Sequence, residues 1–275
     1  MNPRNVDIPL LLTATVDPQG MQGASFSVPE RAAMYAEALC FYIKELSHRA
    51  TPSIVFAENS GALSVVRQQV DSPLIEWVDV SGPEYDQSRG KGYNETLLIG
   101  KAIEQSEVIQ RAGCFFKVTG RLKVLNVNQL IEEVAQTRPQ AQFRADCKDH
   151  SVYEWLHLPI NGHAGECRYW YATTQFFRLY MSKYQLLMHD YPATEEYPMP
   201  QYLAEDAMLA VCRESRGWSG CRDRFRHQAR ISGRGGHDLG QGISFFYSTD
   251  NDSFALRLKC FLRQLLRWAM PFWRC

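Results

Sequence analysis

Short hydrophobic runs alternate with helical patterns through the first half of the chain. Apolar runs at residues 8–16, 54–57, 75–80 and 114–118 each end in polar or glycine-containing turns, a pattern typical of buried strands. A capping-box sequence, Ser27-Val28-Pro29-Glu30, begins a helical pattern that continues to about Leu46. The alternation of strand and helix predicts an α/β fold with a mostly parallel sheet covered by helices.

The second half of the chain has a less regular pattern. Residues 142–146 are compatible with another strand, and residues 173–187 and 201–214 have helical spacing. Residues 215–242 are polar and rich in glycine and arginine, which predicts a loop region. We therefore expect one α/β domain over residues 1–252, followed by a distinct tail over residues 253–275.

Composition narrows the class of protein. A chain of 275 residues with 45% hydrophobic content can bury a large core without disulfides or metals. A formal net charge of zero argues against a nucleic-acid partner. The eight cysteines form no close pair of the zinc-binding type, and neither a secretion signal nor a membrane-spanning apolar run is present. We expect a cytoplasmic protein with free thiols.

Candidate chemistry lies where the predicted strands end. In an open parallel sheet, ligands bind beyond the carboxyl ends of the strands, and helix N-termini there favour anions. The glycine-rich segment Arg89-Gly90-Lys91-Gly92-Tyr93-Asn94-Glu95 is neither a P-loop nor a dinucleotide fingerprint, and we expect it to be a loop before a helix over residues 96–106. The alternative is a set of ordinary strand-ending turns. The candidate binding residues are Thr13, Thr15, Glu58, Asn59, Lys91, Lys117, Thr119 and Arg121.

The motifs TAT, ENSG, RGKGYNE and FFKVTGR, in this order, resemble bacterial glycosyltransferases of the GT-A type that build surface polysaccharides such as lipopolysaccharide or capsule. The resemblance covers roughly residues 10–126. Such enzymes normally hold a divalent metal with an Asp-x-Asp motif, whereas this chain has Lys117-Val118-Thr119-Gly120-Arg121 at that place. Because Lys117 and Arg121 would supply positive charge themselves, we expect no metal, although a divalent ion remains the alternative.

The resemblance also implies roles for individual residues. A nucleotide-sugar donor would be held by Thr13, Thr15, Glu58 and Asn59 at its base and ribose, and its diphosphate would face the cations. An inverting enzyme of this type places its general base in a sequence like Ala204-Glu205-Asp206, which nominates Asp206, with Glu205 second. The alternative is that both acids complement a helix dipole. The implied acceptor is a surface glycan or a lipid-linked glycan.

Two further groups have competing interpretations. Asp146 and Asp149, beside His150, have the chemistry of hard metal ligands, but a solvated charged turn is the favoured interpretation. The aromatic residues 169–171 and 176–177 could stack on a base or a sugar, although core packing is more common for such runs. Thr173, Thr174 and Gln175 between them are candidate contacts to the donor sugar. The sequence does not decide between these alternatives.

The C-terminal segment has no acidic residue from Ala255 onward. Lys259, Arg263 and Arg267 repeat at helical spacing opposite an apolar face, which is typical of a helix lying on an anionic membrane surface. The apolar positions are Leu258, Phe261, Leu262, Leu265, Leu266, Trp268 and Ala269, followed by Pro271, Phe272 and Trp273. The prediction is peripheral attachment to the inner face of the cell membrane. A helix packed on the domain or at a dimer interface is the alternative.

Two other functions compete with glycosyl transfer. A nucleotidyltransferase acting on a sugar phosphate would use similar loops but would need a carboxylate-bound metal. A non-enzymatic scaffold protein at the membrane would bind no nucleotide. Pyrophosphate release and sensitivity to chelators would indicate the first alternative, and absence of nucleotide binding the second.

Overall fold

The computed structural model describes residues 8–21, 26–49, 52–137, 139–157, 159, 161–193, 195, 198, 200–238, 244–248 and 254–269. Its strands are β1 Leu10–Ala14, β2 Ile54–Glu58, β3 Ile75–Asp79, β4 Cys114–Thr119, β5 Lys123–Val124, β6 Phe143–Arg144, β7 Cys147–Asp149, β8 His163–Gly165, β9 Tyr169–Thr173, β10 Cys221–Arg222, β11 Ile231–Asp238 and β12 Ser244–Ser248. Its helices are α1 Val28–Leu46, α2 Leu63–Arg67, α3 Gly90–Gln105, α4 Glu107–Ala112, α5 Val127–Ala135, α6 Val152–Trp155, α7 Thr174–Phe176, α8 Ala204–Glu214 and α9 Phe254–Ala269. Short helical turns cover Gln87–Arg89, Phe177–Met181 and Ser182–Leu187.

A seven-stranded sheet with the order β10-β6-β9-β4-β1-β2-β3 forms the centre of the fold. Its strands pair in parallel except for β9, which lies antiparallel between β4 and β6. Two smaller sheets accompany it, one with the order β12-β11-β5 and one formed by the β7–β8 hairpin. The predicted α/β class with a mostly parallel sheet is confirmed.

Alternation along the strands divides the core into two layers, because successive side chains point to opposite faces of a sheet. Leu10, Leu12 and Phe56 pack on one face with residues of α1 and α5. Leu11 and Val55 pack on the other face with residues of α3 and α8. The capping box at the start of α1 is confirmed, since the Glu30 carboxylate accepts the backbone amide of Ser27 at 2.8 Å.

Three expectations about the elements were wrong. Helix α3 begins at Gly90, not at residue 96, because Asp190 from a distant segment accepts its first amides. Residues 215–242 contain β10 and β11, whose partners are distant in sequence and leave no local periodicity. Residues 173–187 form a broken series of helical turns after β9 instead of one helix.

Within the described part of the chain, no helix has both the length and the apolar composition that crossing a bilayer requires. Helix α9 occupies the position where the sequence predicted a C-terminal helix. Pro271, Phe272 and Trp273, at the end of the predicted membrane-surface segment, lie outside the described residues.

Candidate functional site

The carboxyl ends of β1, β2 and β4 meet at one edge of the large sheet. Thr13 pairs with Ala57 of β2 on one side and with Thr119 of β4 on the other. This register brings the polar residues that follow each strand to the same edge. The expected convergence of the strand-end motifs is therefore confirmed for these three strands.

Lys117 is the centre of a buried polar network at this edge. Its Nζ lies 2.8 Å from Oε1 of Glu95 in α3 and donates hydrogen bonds to the Cys167 carbonyl at 2.6 Å and to Thr119 Oγ1 at 3.2 Å. Oε1 of Glu95 also accepts Thr13 Oγ1 at 2.6 Å. Because the Lys117 side chain is fully buried and has three acceptors, it joins β1, β4 and α3 and does not present its charge to a ligand.

Glu58 and Asn59 hold the loops at the ends of β1 and β2. The fully buried Glu58 carboxylate accepts the amides of Val16 at 3.0 Å, Ser60 at 2.9 Å and Ala62 at 3.1 Å. Asn59 Oδ1 accepts the hydroxyl of Thr15 at 2.8 Å. These residues shape the edge of the sheet through their bonds to backbone and neighbouring side chains.

Three cations gather where β1, β4 and α3 meet. Lys91 lies in the first turn of α3, and burial, followed by the positive charges of Arg121 and Arg31, lowers its pKa to about 8 although Asp190 opposes the shift. Arg121 donates its Nε to the Arg234 carbonyl at 3.1 Å. Three cations at one edge of the sheet produce a positive potential that attracts a polyanion.

Arg31 is a member of this group that the sequence analysis missed. It is 4% exposed and donates Nε and Nη2 to the Thr15 carbonyl at 2.9 and 2.6 Å. The sequence did contain a signal, because the helix that follows β1 begins at the carboxyl edge. A cation in the first turns of that helix therefore lies beside the strand ends.

Asp190 is a second residue that the sequence analysis missed. Its carboxylate accepts the amide of Lys91 at 2.5 Å and that of Gly92 at 3.4 Å. A helix N-terminus favours negative charge, and at α3 the carboxylate of Asp190 supplies it. Gly90 has a φ of 84°, and a Cβ there would lie 2.4 Å from the Asp190 Cβ. The glycine-rich motif thus permits the close approach of Asp190.

The two acids at the start of α8 differ in their surroundings. Asp206 Oδ2 accepts the backbone amide of Leu203 at 2.9 Å and thereby caps its own helix. Glu205 reaches solvent, and partial desolvation, followed by the negative charges of Asp190, Glu166 and Glu95, raises its pKa. We use the term strand-end cleft for the region defined by Lys91, Arg121, Asp190 and Glu205.

An apolar pocket of roughly 400 Å³, including its open mouth, lies beside the strand-end cleft. Glu95 and Cys167 form its polar end, and burial, followed by the charge of Glu205, raises the pKa of the Cys167 thiol. Its apolar walls include Trp170, Phe177, Met181, Met188 and Met208. The cleft therefore has a charged side and an apolar side.

The aromatic residues 169–171 and 176–177 are all buried. Trp170 stacks on Phe177 with an interplanar angle of 4°, and Phe143 stacks on Phe176 with an angle of 8°. Thr173 caps α7 by accepting the amide of Phe176 at 3.1 Å. The core interpretation of the aromatic run is confirmed.

Asp146 and Asp149 are ion-paired and not free metal ligands. Asp146 accepts both Nη atoms of Arg267 at 2.9 Å and the hydroxyl of Tyr169 at 2.6 Å. Asp149 pairs with Arg213 at 2.7 Å and with Arg216 at 2.5 Å. Among the described residues, no group of three or more histidine, cysteine or acidic side chains has an arrangement that would hold a metal.

The arrangement as a whole combines a cationic group with a solvent-accessible carboxyl group of raised pKa. The cations are suited to a phosphate-bearing ligand, and the carboxyl group is suited to accepting a proton. No protein-family model matches the chain, and no curated protein matches it significantly.

Proposed function

We propose that the chain is a glycosyltransferase of the GT-A type, which moves a sugar from a nucleotide-sugar donor to a surface-glycan acceptor. The observation that carries the proposal is the group of Lys91, Arg121 and Arg31 at the carboxyl edge of a parallel sheet. Asp190, which accepts the amide of Lys91 at 2.5 Å, also interacts with Glu205 and so links this group to a carboxyl group of raised pKa. Ligands bind at this edge in open α/β sheets. The resemblance of the strand-end motifs to surface-polysaccharide glycosyltransferases supports the same assignment.

The proposed reaction is a single displacement at the anomeric carbon. The acceptor hydroxyl forms a bond to this carbon while the bond from the carbon to the diphosphate oxygen breaks, which inverts the configuration. Lys91 and Arg121, with Arg31 behind them, would stabilise the charge that develops on the departing diphosphate. Thr13, Thr15, Glu58, Asn59 and Thr119 would define the shape of the donor site.

Glu205 is our preferred general base. The sequence favoured Asp206, but its carboxylate caps α8, whereas Glu205 lies at the cleft with a raised pKa. A carboxylate whose pKa is raised is the stronger proton acceptor. Lys117, which the sequence placed on the diphosphate, would contribute indirectly by holding Glu95 and β4 in position.

A thermal-shift screen against nucleoside diphosphates, followed by a transfer assay with the matching nucleotide sugar, tests the proposal. We expect stabilisation by at least one nucleoside diphosphate and release of that diphosphate on transfer. Glu205→Gln should lower kcat by about 10²-fold or more with little change in donor affinity. Asp206→Asn, the matched control, should lower thermal stability more than it lowers kcat.

Two outcomes would contradict the proposal. Release of pyrophosphate, with activity lost in chelator, would indicate a nucleotidyltransferase acting on a sugar phosphate. Absence of binding to every nucleotide in the screen would indicate a non-enzymatic scaffold.

We also propose that the protein associates peripherally with the inner face of the cell membrane. The acid-free C-terminal segment supports this location, and an enzyme that extends a lipid-linked glycan would work there.

A further inference from the structure

Helix α9 is attached to the domain through its polar side. Arg267, 10% exposed, donates Nη1 and Nη2 to Asp146 at 2.9 Å and Nη1 to the Phe225 carbonyl at 2.8 Å. Gln264 accepts the amide of Gln228 at 2.9 Å and donates to the Arg226 carbonyl at 3.0 Å. These bonds fix the rotation of the helix about its own axis.

The exposed side of α9 carries a contiguous apolar ridge. Its members have exposed fractions between 38% and 58%, although each is a large hydrophobic side chain. They follow one another at the i, i+3, i+4, i+7 and i+10 positions of the helix, which places them on one stripe. The apolar ridge consists of Leu258, Phe261, Leu262, Leu265 and Trp268.

This orientation differs from the one the sequence suggests. The helical spacing predicts Lys259, Arg263 and Arg267 together on a cationic face toward lipid. In the structure Arg267 faces the domain and is paired with Asp146, while Arg263 is exposed. Among the described side chains of α9, those of the apolar ridge are therefore exposed, whereas Arg267 is not part of an outward cationic face.

We propose that the apolar ridge inserts into the headgroup region of an anionic bilayer, with α9 acting as a rigid platform of the domain. Apart from Arg267, which is paired with Asp146, residues 254–275 contain four cations and no acid, although the whole chain has a net charge of zero. This charge complements anionic lipid headgroups. A second copy of the chain fits the ridge less well, because facing helices would bring identical cations together.

The platform is connected to the strand-end cleft. Asp146, which holds Arg267, follows β6 at the carboxyl edge of the large sheet, and its carbonyl accepts the amide of Glu166 at 2.8 Å. Glu166 in turn contributes to the raised pKa of Glu205. Insertion of the ridge would bring the cleft close to the headgroups, where a lipid-carried acceptor lies. This last step alone depends on the proposed glycosyltransferase function.

Vesicle co-sedimentation of the full chain tests the docking surface without any nucleotide. The probes are phosphatidylcholine vesicles with and without phosphatidylglycerol. Leu262→Ser should lower the partition coefficient on anionic vesicles by about three- to tenfold, because Leu262 is 49% exposed and its apolar surface would leave the bilayer. The matched control Leu179→Ser, at a leucine that is 55% exposed outside α9, should leave partitioning unchanged.

Light scattering distinguishes a protein partner from a lipid surface. We expect a species whose mass does not depend on Leu262. Three results would each overturn the proposal. One is a dimer that Leu262→Ser dissociates, and another is equal partitioning of Leu262→Ser and the unaltered chain. The third is equal binding to vesicles with and without phosphatidylglycerol. Catalytic activity is not a readout, so these results do not depend on whether the glycosyltransferase proposal holds.

Discussion

Replacing Lys117 with methionine tests whether this residue serves the fold or a ligand. Methionine keeps much of the side-chain length but removes the charge and the donors to Glu95, the Cys167 carbonyl and Thr119. Lys117 is fully buried, whereas the side chain of Glu95 is 28% exposed. We therefore expect the variant to lose the ion pair, while the unpaired Glu95 carboxylate remains partly in contact with water.

The expected cost follows from this geometry. Removing one partner of a buried ion pair costs about 3–5 kcal/mol. Because water can partly solvate Glu95 in the variant, we place Lys117→Met near the lower limit, at about 3 kcal/mol of unfolding free energy. For a domain of this size such a loss lowers Tm by about 6–12 °C.

Urea unfolding followed by circular dichroism measures the change. The double variant Lys117→Met/Glu95→Gln should recover part of the loss, because the unpaired carboxylate is then gone. A loss below about 1 kcal/mol, together with a large loss of nucleoside diphosphate affinity, would refute the reasoning. Lys117 would then contact the ligand, as the sequence alone suggested.

Three further predictions concern charge. Nucleoside diphosphate affinity should fall as pH rises through about 8, where Lys91 loses its proton, and Lys91→Met should flatten this dependence when calorimetry is repeated across the range. Hydrogen bonds, chiefly from Arg213, hold the pKa of Asp149 well below its usual 3.8. The contribution of Asp149 to the free energy of unfolding is therefore complete above pH 3.8 and is lost as pH falls further. Asp149→Asn should remove that part of the acid dependence when urea unfolding is measured across the pH range. Arg267→Gln should cost about 3 kcal/mol in urea unfolding by leaving Asp146 short of its charged partner, whereas Arg263→Gln at an exposed position should change little.

Local patterns were sufficient to predict the first four strands of the large sheet and α1. The apolar runs of β1, β2, β3 and β4 are bounded by turn residues, and Ser27 and Glu30 form the capping box that starts α1. Each of these features depends on neighbours in sequence. The strand-end motifs could consequently be assigned to one edge before the structure was known.

The parts that sequence reasoning missed depend on distant partners. β9 enters the sheet antiparallel between β4 and β6, a position that its buried aromatic run does not specify. Asp190 reaches the N-terminus of α3 from 99 residues away in sequence, and Arg267 reaches Asp146 from 121 residues away. Spacing in a single sequence contains no information about such pairs.

Contacts between residues distant in sequence also determine the roles of the cations in the candidate site. Lys117 and Arg121 have the same kind of charge and lie four residues apart, so their spacing provided no reason to separate their roles. In the structure Lys117 is buried against Glu95, whereas Arg121 belongs to the cationic group with Lys91. Burial, which the sequence did not reveal, distinguishes a structural cation from a candidate ligand-binding one.

The most direct test of the central claim is calorimetric titration with one nucleoside, its monophosphate and its diphosphate. If Lys91, Arg121 and Arg31 bind the diphosphate, affinity should rise with each added phosphate. Arg121→Ala should weaken the affinity for the diphosphate by at least about tenfold, the scale of a charge-assisted contact, and should leave the affinity for the nucleoside unchanged. Equal affinities across the three ligands, or a diphosphate that binds the Arg121→Ala variant as tightly as the unaltered chain, would contradict the claim.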